Sequence, residues 1–83
     1  MADPGDQDVL DEIHALMDVE HDLLEHHPHV GRDPAIDAQL RELDVEIDRR
    51  WDLLRQRRAL RRVGADPEGA VLRPPGTVEG YQQ

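Results

Sequence analysis

Residues 36–54 read IDAQLRELDVEIDRRWDLL, and the spacing of apolar residues in this stretch decides the fold. Large apolar side chains recur at intervals of three and four residues, which places them in one narrow band on an α-helix. The band consists of Ile36, Leu40, Leu43, Ile47, Trp51 and Leu54. This spacing is typical of helices that pack in a coiled coil, here over about three heptads.

The helix that carries this band has a start signal and a stop signal in the sequence. Asp33 can cap the helix and Pro34 suits its first position, so the helix is predicted to start there. We expect it to continue to about Arg62 or Val63, because Gly64 can adopt the left-handed conformation that ends helices.

A second amphipathic segment precedes this helix. The sequence predicts a helix from about Asp8 to about His26, which must end before Pro28. Its predicted apolar stripe consists of Leu10, Ile13, Met17 and Leu24, widened by Val9, Leu16 and Leu23. The short connection over residues 27–34, HPHVGRDP, suits two antiparallel helices.

Glu20 interrupts the stripe of the first helix between Met17 and Leu24. A carboxylate on an apolar face needs a cation or a hydrogen-bond donor, and arginine is its natural bidentate partner. We therefore predict a structural ion pair between Glu20 and an arginine, which would fix the register of the helices. The alternatives are a position at the rim of the contact, covered by solvent, and a carboxylate used for proton transfer or metal binding.

The chain is too small and too poor in aromatic residues to build a large core. It has 83 residues, no Phe, one Trp and one Tyr, and in so small a chain the burial of apolar surface nearly cancels the entropy of ordering. The predicted fold class is all-α, an antiparallel two-helix hairpin over residues 8–63 that follows a flexible N-terminus over residues 1–7. Two copies are expected to pair as a homodimer in a four-helix bundle.

Residues 64–83 form a tail that is rich in glycine and proline and is predicted to be extended or disordered in isolation. Its apolar side chains are Val71, Leu72, Val78 and Tyr81. Leu53 and Leu60 form a second, weaker stripe on the second helix. The tail is expected to cover this stripe, on its own chain or on a second copy, and to strap across the dimer.

Charge is sorted along the chain. The net charge is -9, yet residues 49–62 hold seven arginines and one acid. Because the first helix is expected to start near Asp8, residues 55–62 are expected to project past it as an exposed overhang. The arginines of the overhang are Arg55, Arg57, Arg58, Arg61 and Arg62.

Three kinds of partner suit the arginines of residues 49–62. Pairing within the chain or between copies is favoured, because Arg49 and Arg50 are expected to face the first helix. The acids at that level are Asp8, Asp11 and Glu12. An acidic protein partner comes second. Nucleic acid comes third, because the rest of the chain is strongly acidic and repels a polyanion.

The histidines offer a weak candidate for a metal site. His14, Asp18 and His21 share one face of the first helix, in a layout that resembles metal sites of helical bundles. Such sites also need carboxylates from the facing helix, and the acids of the second helix mostly point away from its apolar band. Adventitious Ni²⁺ or Zn²⁺ binding at residues 26–29, HHPH, is a second metal alternative, and solvated histidines at a helix end are favoured over it. No cofactor is predicted.

Trp51 is predicted to be the largest single burial of the fold, as an anchor of the core or of an interface. Nucleophilic catalysis is nearly excluded, since the chain has no Ser, no Cys and one Thr, Thr77, in the tail. The absence of cysteine also removes disulfides and fits a reducing compartment. With no signal peptide at the start and no apolar run of about 20 residues, a soluble cytoplasmic protein is expected.

The sequence resembles a known family in several short blocks. They are WDLLRQRR at residues 51–58, Asp66-Pro67, Arg73-Pro74, VEGY at residues 78–81, and Glu20-His21. On these blocks the chain resembles a family of small actinobacterial proteins called domain of unknown function 2630. Arg49-Arg50 departs from the family, whose members tend to have Gln-Cys there. The resemblance implies a shared helical hairpin and an actinobacterial source, and it implies no activity or cofactor.

These observations favour binding over catalysis. We expect a non-enzymatic, self-associating interaction or adaptor module. Its predicted contact residues, besides the overhang arginines, are Glu20, Trp51, Leu53, Leu54, Leu60 and Tyr81. One alternative is binding of nucleic acid or a transcription complex through the arginines, and the other is metal binding through the first helix.

Overall fold

The structure, a computed structural model, describes residues 4–28 and 32–75. It contains two α-helices, α1 (Pro4–His26) and α2 (Pro34–Arg62), and a 3₁₀ turn (Pro67–Gly69). Asp6 of α1 contacts Arg61 near the end of α2, whereas Glu20 contacts Asp44 nearer its start. The two helices are therefore antiparallel, and the described part of the chain contains no strand.

Both ends of α2 form as the sequence signals predict. The Asp33 Oδ1 accepts a hydrogen bond from the Ala35 N–H at 2.8 Å, and a proline follows the cap. Gly64 has a φ of 76°, in the left-handed region that glycine adopts without strain. The Ala65 N–H then donates to the Leu60 carbonyl at 2.8 Å, which closes the helix. The predicted start at Asp33 and stop at Gly64 are confirmed.

α1 begins earlier than predicted. Its first residue is Pro4, four positions before Asp8, and it ends at His26 as predicted. Proline suits the first turn of a helix, where its missing N–H costs no hydrogen bond. Residues 4–7, expected to be part of a flexible N-terminus, therefore belong to the helix, and the added turn places Asp6 in a buried position. Residues 1–3 lie outside the described part of the chain.

One row of α1 faces α2, and it is shifted from the predicted stripe. The row follows intervals of three and four and consists of Asp6, Val9, Ile13, Leu16, Glu20 and Leu23. Val9 and Ile13 are the buried apolar side chains among the described residues. Leu10 is half-buried, and Met17 and Leu24 are exposed. The predicted centre of the stripe was wrong, because seven apolar positions cover more of the helix than one partner helix can bury.

The row of α2 that faces α1 departs from the predicted band at Trp51. Arg50, one position earlier, contacts Glu12 of α1 at 3.4 Å. The interval from Ile47 to Trp51 is four residues where regular alternation requires three, so the row continues through Arg50. Trp51 lies on the flank and is 39% exposed. The prediction that Trp51 is the largest burial is wrong for the single chain, and its role as an interface anchor stays a prediction.

The hairpin is elongated and has a small core. Its radius of gyration is 15.0 Å, whereas a compact domain of this length has about 12 Å.

Within residues 4–28 and 32–75, neither helix has a stretch that is long and apolar enough to cross a lipid bilayer.

Candidate interaction surface

Two arginines near the end of α2 bind Asp6 of α1. The Arg61 Nη2 lies 2.6 Å from the Asp6 Oδ2, and the Arg57 Nη1 lies 3.5 Å from the Asp6 Oδ1. Arg57 also donates to the Gly5 carbonyl at 2.8 Å. The predicted overhang is therefore wrong for these two arginines, because the early start of α1 brings an acid level with them.

Two further arginines bind acids in the middle of the hairpin. The Glu46 carboxylate accepts hydrogen bonds from Arg50 and from Arg49, each at 2.8 Å. These bonds, with that of Arg50 the larger cause, hold the pKa of Glu46 below its ordinary value. Arg50 also reaches Glu12 of α1, so the predicted pairing with the acids of the first helix is confirmed for Arg50. It is wrong for Arg49, which lies on the tail side of α2 and donates to the Arg73 carbonyl.

The remaining arginines of this segment, Arg55, Arg58 and Arg62, have exposed side chains. Arg58 and Arg62 form no ion pair with the described residues, whereas Arg55 makes an interaction within the chain. Leu53 and Leu54 are both half-buried, and Leu54 lies on the α1 side of α2, four residues after Arg50 and three before Arg57.

The back of α2, opposite α1, carries a buried acid. Asp52 is only 1% exposed. Its Oδ2 accepts a hydrogen bond from Gln56 Nε2 at 2.9 Å and lies 3.5 Å from Arg73 Nε of the tail. Its Oδ1 has no hydrogen-bond partner among the described residues. The tail thus buries a carboxylate on a helix surface that would otherwise face solvent.

The described part of the tail lies along this back face of α2. Gln56 hydrogen-bonds the backbone of Val71, and Arg49 Nε donates to the Arg73 carbonyl at 2.8 Å. A Cβ built at Gly69 would lie 3.8 Å from the Leu60 side chain, so the 3₁₀ turn packs beside Leu60. The strap is formed on the same chain through residue 75, whereas a strap across a dimer was expected. Tyr81 and Val78 lie outside the described residues.

Glu20 contacts a second carboxyl group where an arginine was predicted. Its side chain hydrogen-bonds Asp44 of α2, and this bond, burial and the negative charge of Asp44 together raise the pKa of Glu20 from 4.5 to about 7. The predicted arginine partner was wrong, because the nearest positions of α2 at this level carry an acid. Below pH 7 the protonated Glu20 carboxyl group is therefore the donor of this hydrogen bond.

A shallow cavity of about 430 Å³ surrounds this carboxyl pair. It is lined by Glu20, Leu24, Arg32, Asp37, Leu40, Arg41 and Asp44. Met17 lies seven residues before Leu24, and Trp51 lies seven after Asp44, so each falls on the same flank two helical turns away. We call this flank the open face and define it by Leu10, Met17, Leu24, Asp44, Trp51 and Arg58.

The metal candidates do not form a site among the described residues. His14, Asp18 and His21 are all exposed on α1, on the side away from α2. His21 pairs with Glu25 at 3.0 Å in place of any carboxylate from α2. No group of three or more metal-binding side chains occurs in residues 4–28 and 32–75.

A comparison with protein families supports the resemblance in the sequence. The model of the family described as protein of unknown function (DUF2630) matches residues 5–83. This chain belongs to that family. The resemblance stated from the sequence is therefore confirmed, and no activity comes with it.

Relatives of this DUF2630 chain are mycobacterial, and hence actinobacterial. An uncharacterized protein of Mycobacterium bovis and uncharacterized proteins of two Mycobacterium tuberculosis strains are each 63% identical to it over 43 residues. That match covers 52% of this chain and 49% of each relative, so the chain spans about half the length of the curated relatives it matches. No solved structure matches the chain.

Two residues of the DUF2630 block WDLLRQRR were missed as functional positions by sequence reasoning. Asp52 and Gln56 lie one turn apart and bind Arg73 and Val71 of the tail. The available signal was that Asp52 is the only acid among seven arginines in residues 49–62. The blocks that carry the family resemblance, residues 51–58 and Arg73-Pro74, therefore contact each other in the fold.

Proposed function

We propose that this DUF2630 protein is a non-enzymatic interaction module that associates with a second copy through the open face, as a homodimer with four helices. The observation that carries the proposal is the exposure of Met17, Leu24 and Trp51 on one flank of the hairpin. Large apolar side chains grouped on one side of so small a protein are characteristic of an interaction site.

The size of the core supports a second copy as the occupant of the open face. Val9 and Ile13 are the buried apolar side chains among the described residues, which is little for a domain that stands alone. Four-helix bundles solve this problem by burying two hairpins against each other. The open face also contains an acid, Asp44, and an arginine, Arg58, so two copies can complement each other in charge.

Binding is favoured over catalysis by the chemistry of the chain. It has no serine or cysteine nucleophile, and its hydrogen-bonded acids, Glu20 and Asp44, lie at a shallow surface. The cysteine-free composition also favours a reducing compartment, so the proposal includes a cytoplasmic location.

Nucleic acid is a less favourable partner for the arginines of α2. Four of the seven arginines in residues 49–62 bind acids of the same chain, which leaves fewer guanidinium groups for phosphates. The exposed Arg62, at the end of α2, offers a smaller surface that suits an acidic protein segment once the homodimer has formed.

The test is the molar mass in solution, measured by light scattering over a range of protein concentrations. We expect a mass of two chains for the wild type and dissociation for Met17→Lys. Val19→Lys is the matched control, because Val19 is 50% exposed and Met17 47%, but Val19 lies on the opposite flank beside Leu23 and Leu43. A wild-type chain that stays monomeric at every concentration, or equal effects of the two variants, would contradict the proposal.

A further inference from the structure

The row of α2 that contains the open-face residues Asp44, Trp51 and Arg58 has an ordered pattern of charge. Residues at successive intervals of four, three, four and three are Asp44, Asp48, Trp51, Arg55 and Arg58. At 100° per residue these five positions lie within one narrow row along the helix. The side chains of Asp44, Arg55 and Arg58 are exposed, and that of Trp51 is 39% exposed.

The row is self-complementary about Trp51. Asp44 precedes Trp51 by seven residues, and Arg58 follows it by seven, which is about 10.5 Å on either side. A second acid, Asp48, precedes Trp51 by three residues, and a second arginine, Arg55, follows it by four. A two-fold rotation that reverses the helix direction at Trp51 therefore brings each acid of one copy opposite an arginine of the other.

We propose that the two copies contact each other through α2 in an antiparallel crossing centred on Trp51, with Asp44 of each copy facing Arg58 of the other. This inference rests on the proposed function, since it names the register of that dimer. A two-fold interface uses the same patch on both copies, so each attractive pair occurs twice. The two indole rings meet at the axis, where aromatic anchors contribute most to an interface.

The surroundings of Asp44 support an arginine from a second copy. In the single chain Asp44 shares a hydrogen bond with Glu20, and the charged groups around the same cavity are Arg32, Asp37 and Arg41. Arg32 lies 3.3 Å from Asp37, which engages that guanidinium. Two carboxyl groups side by side favour a cation when both ionise. Arg58 of a second copy places such a charge at the rim of the apolar contact.

The mixture of signs in the row argues for a second copy over an acidic partner. An acidic segment along this row meets arginines at one end and Asp44 and Asp48 at the other, which repel it. Arg62 lies one turn beyond Arg58, past the end of the row. In the proposed register Arg62 lies near Arg41 of the other copy, so this position gains nothing from the pairing.

Charge reversal at Asp44 and Arg58 tests the register. Asp44→Arg and Arg58→Asp should each raise the dimer dissociation constant roughly tenfold, because each change turns two attractive pairs into repulsive ones. An equimolar mixture of the two variants should recover wild-type affinity as a heterodimer, and so should the double variant D44R/R58D as a homodimer. Sedimentation at low salt measures all four.

Two controls match the charge changes outside the pattern. Glu42→Arg reverses an exposed acid of α2 on another flank, and Arg62→Asp reverses an arginine beyond the complementary row. Neither should weaken the dimer. If the wild type dimerises but the single variants behave like these controls, or the double variant fails to recover, the register is wrong while the proposed function stands. A wild-type monomer overturns both.

Discussion

Gln56 holds Val71 by both backbone polar groups of that residue. Its Nε2 donates to the Val71 carbonyl at 2.7 Å, and its Oε1 accepts from the Val71 N–H at 3.1 Å. The side-chain amide thus binds an extended segment as a neighbouring strand would. Because Gln56 lies on the back of α2, this contact places α2 between α1 and the tail.

Replacement of Gln56 by alanine should loosen the tail without unfolding the hairpin. The loss of two hydrogen bonds to the backbone should lower the free energy of unfolding by about 1–2 kcal/mol. Hydrogen exchange of the Val71 amide should also become faster, since its acceptor is gone. Gln39→Ala is the control, because Gln39 is exposed on the same helix away from the tail. Unchanged protection of Val71 in Gln56→Ala would contradict the observed contact.

Asp52 and Arg73 should be energetically coupled. Asp52→Ala removes a buried carboxylate that accepts from Gln56 and pairs with Arg73, so we expect a loss of about 1–3 kcal/mol. A double-mutant cycle with Arg73→Ala should give an interaction energy of about 0.5–3 kcal/mol, because the two side chains are in contact. Chemical denaturation of the four proteins measures it. Strict additivity would mean that the tail does not depend on this pair.

Ile13 should carry more of the stability of the hairpin than any exposed apolar residue of α1. Its side chain is fully buried, so Ile13→Ala should cost about 2–5 kcal/mol of unfolding free energy. Val19→Ala, at an exposed position six residues later, should stay within about 0.5 kcal/mol. Thermal and urea denaturation at one fixed protein concentration compare the two. Similar costs would place the core elsewhere.

Local signals in the sequence predicted the ends of α2, whereas the choice of packing rows needed the whole fold. Asp33 and Gly64 act on their own neighbours, so short-range rules were sufficient. The spacing of apolar residues places Trp51 in the band as an anchor of the core or of an interface, but Arg50 holds the position that faces α1 through its contact with Glu12. Hydrophobic periodicity alone considers apolar residues, so it does not show that a charged residue such as Arg50 can occupy a position in the contact row in place of Trp51.

The buried acids were unpredictable for a related reason. Asp52 is buried by a tail segment about twenty residues further along the chain, and its own helix shows only an acid among seven arginines, which does not indicate what covers it. Asp6 is buried because α1 starts one turn early, at a proline that the charge pattern does not emphasise. In both positions an arginine from a distant part of the sequence makes burial of the carboxylate possible.

The stability of the single chain should depend on pH in two opposite ways. The pKa of Glu20 is raised to about 7. Its contribution to the free energy of unfolding is therefore full below pH 4.5 and is lost as the pH rises through about 7. The pKa of Glu46 is lowered, mainly by the hydrogen bond from Arg50, so its contribution is present above pH 4.5 and is lost as the pH falls. Urea denaturation at pH 5 and pH 8 measures the decrease in stability at high pH. Glu20→Gln should remove this decrease, whereas Glu42→Gln, at an exposed position, should leave it unchanged.

Association should respond to pH with the opposite sign to the Glu20 contribution. In the proposed dimer Arg58 of the second copy faces the Glu20 and Asp44 pair, which lowers the pKa of Glu20 relative to the single chain. The dimer then binds fewer protons than two separate chains, so association strengthens as the pH rises through about 7 and weakens below it. Light scattering at pH 5.5 and pH 8, at one protein concentration, measures the change. Arg58→Asp should lose this pH dependence, whereas Arg62→Asp should keep it. If the dimer is equally strong at both pH values, Arg58 does not lie next to the Glu20 and Asp44 pair of the other copy.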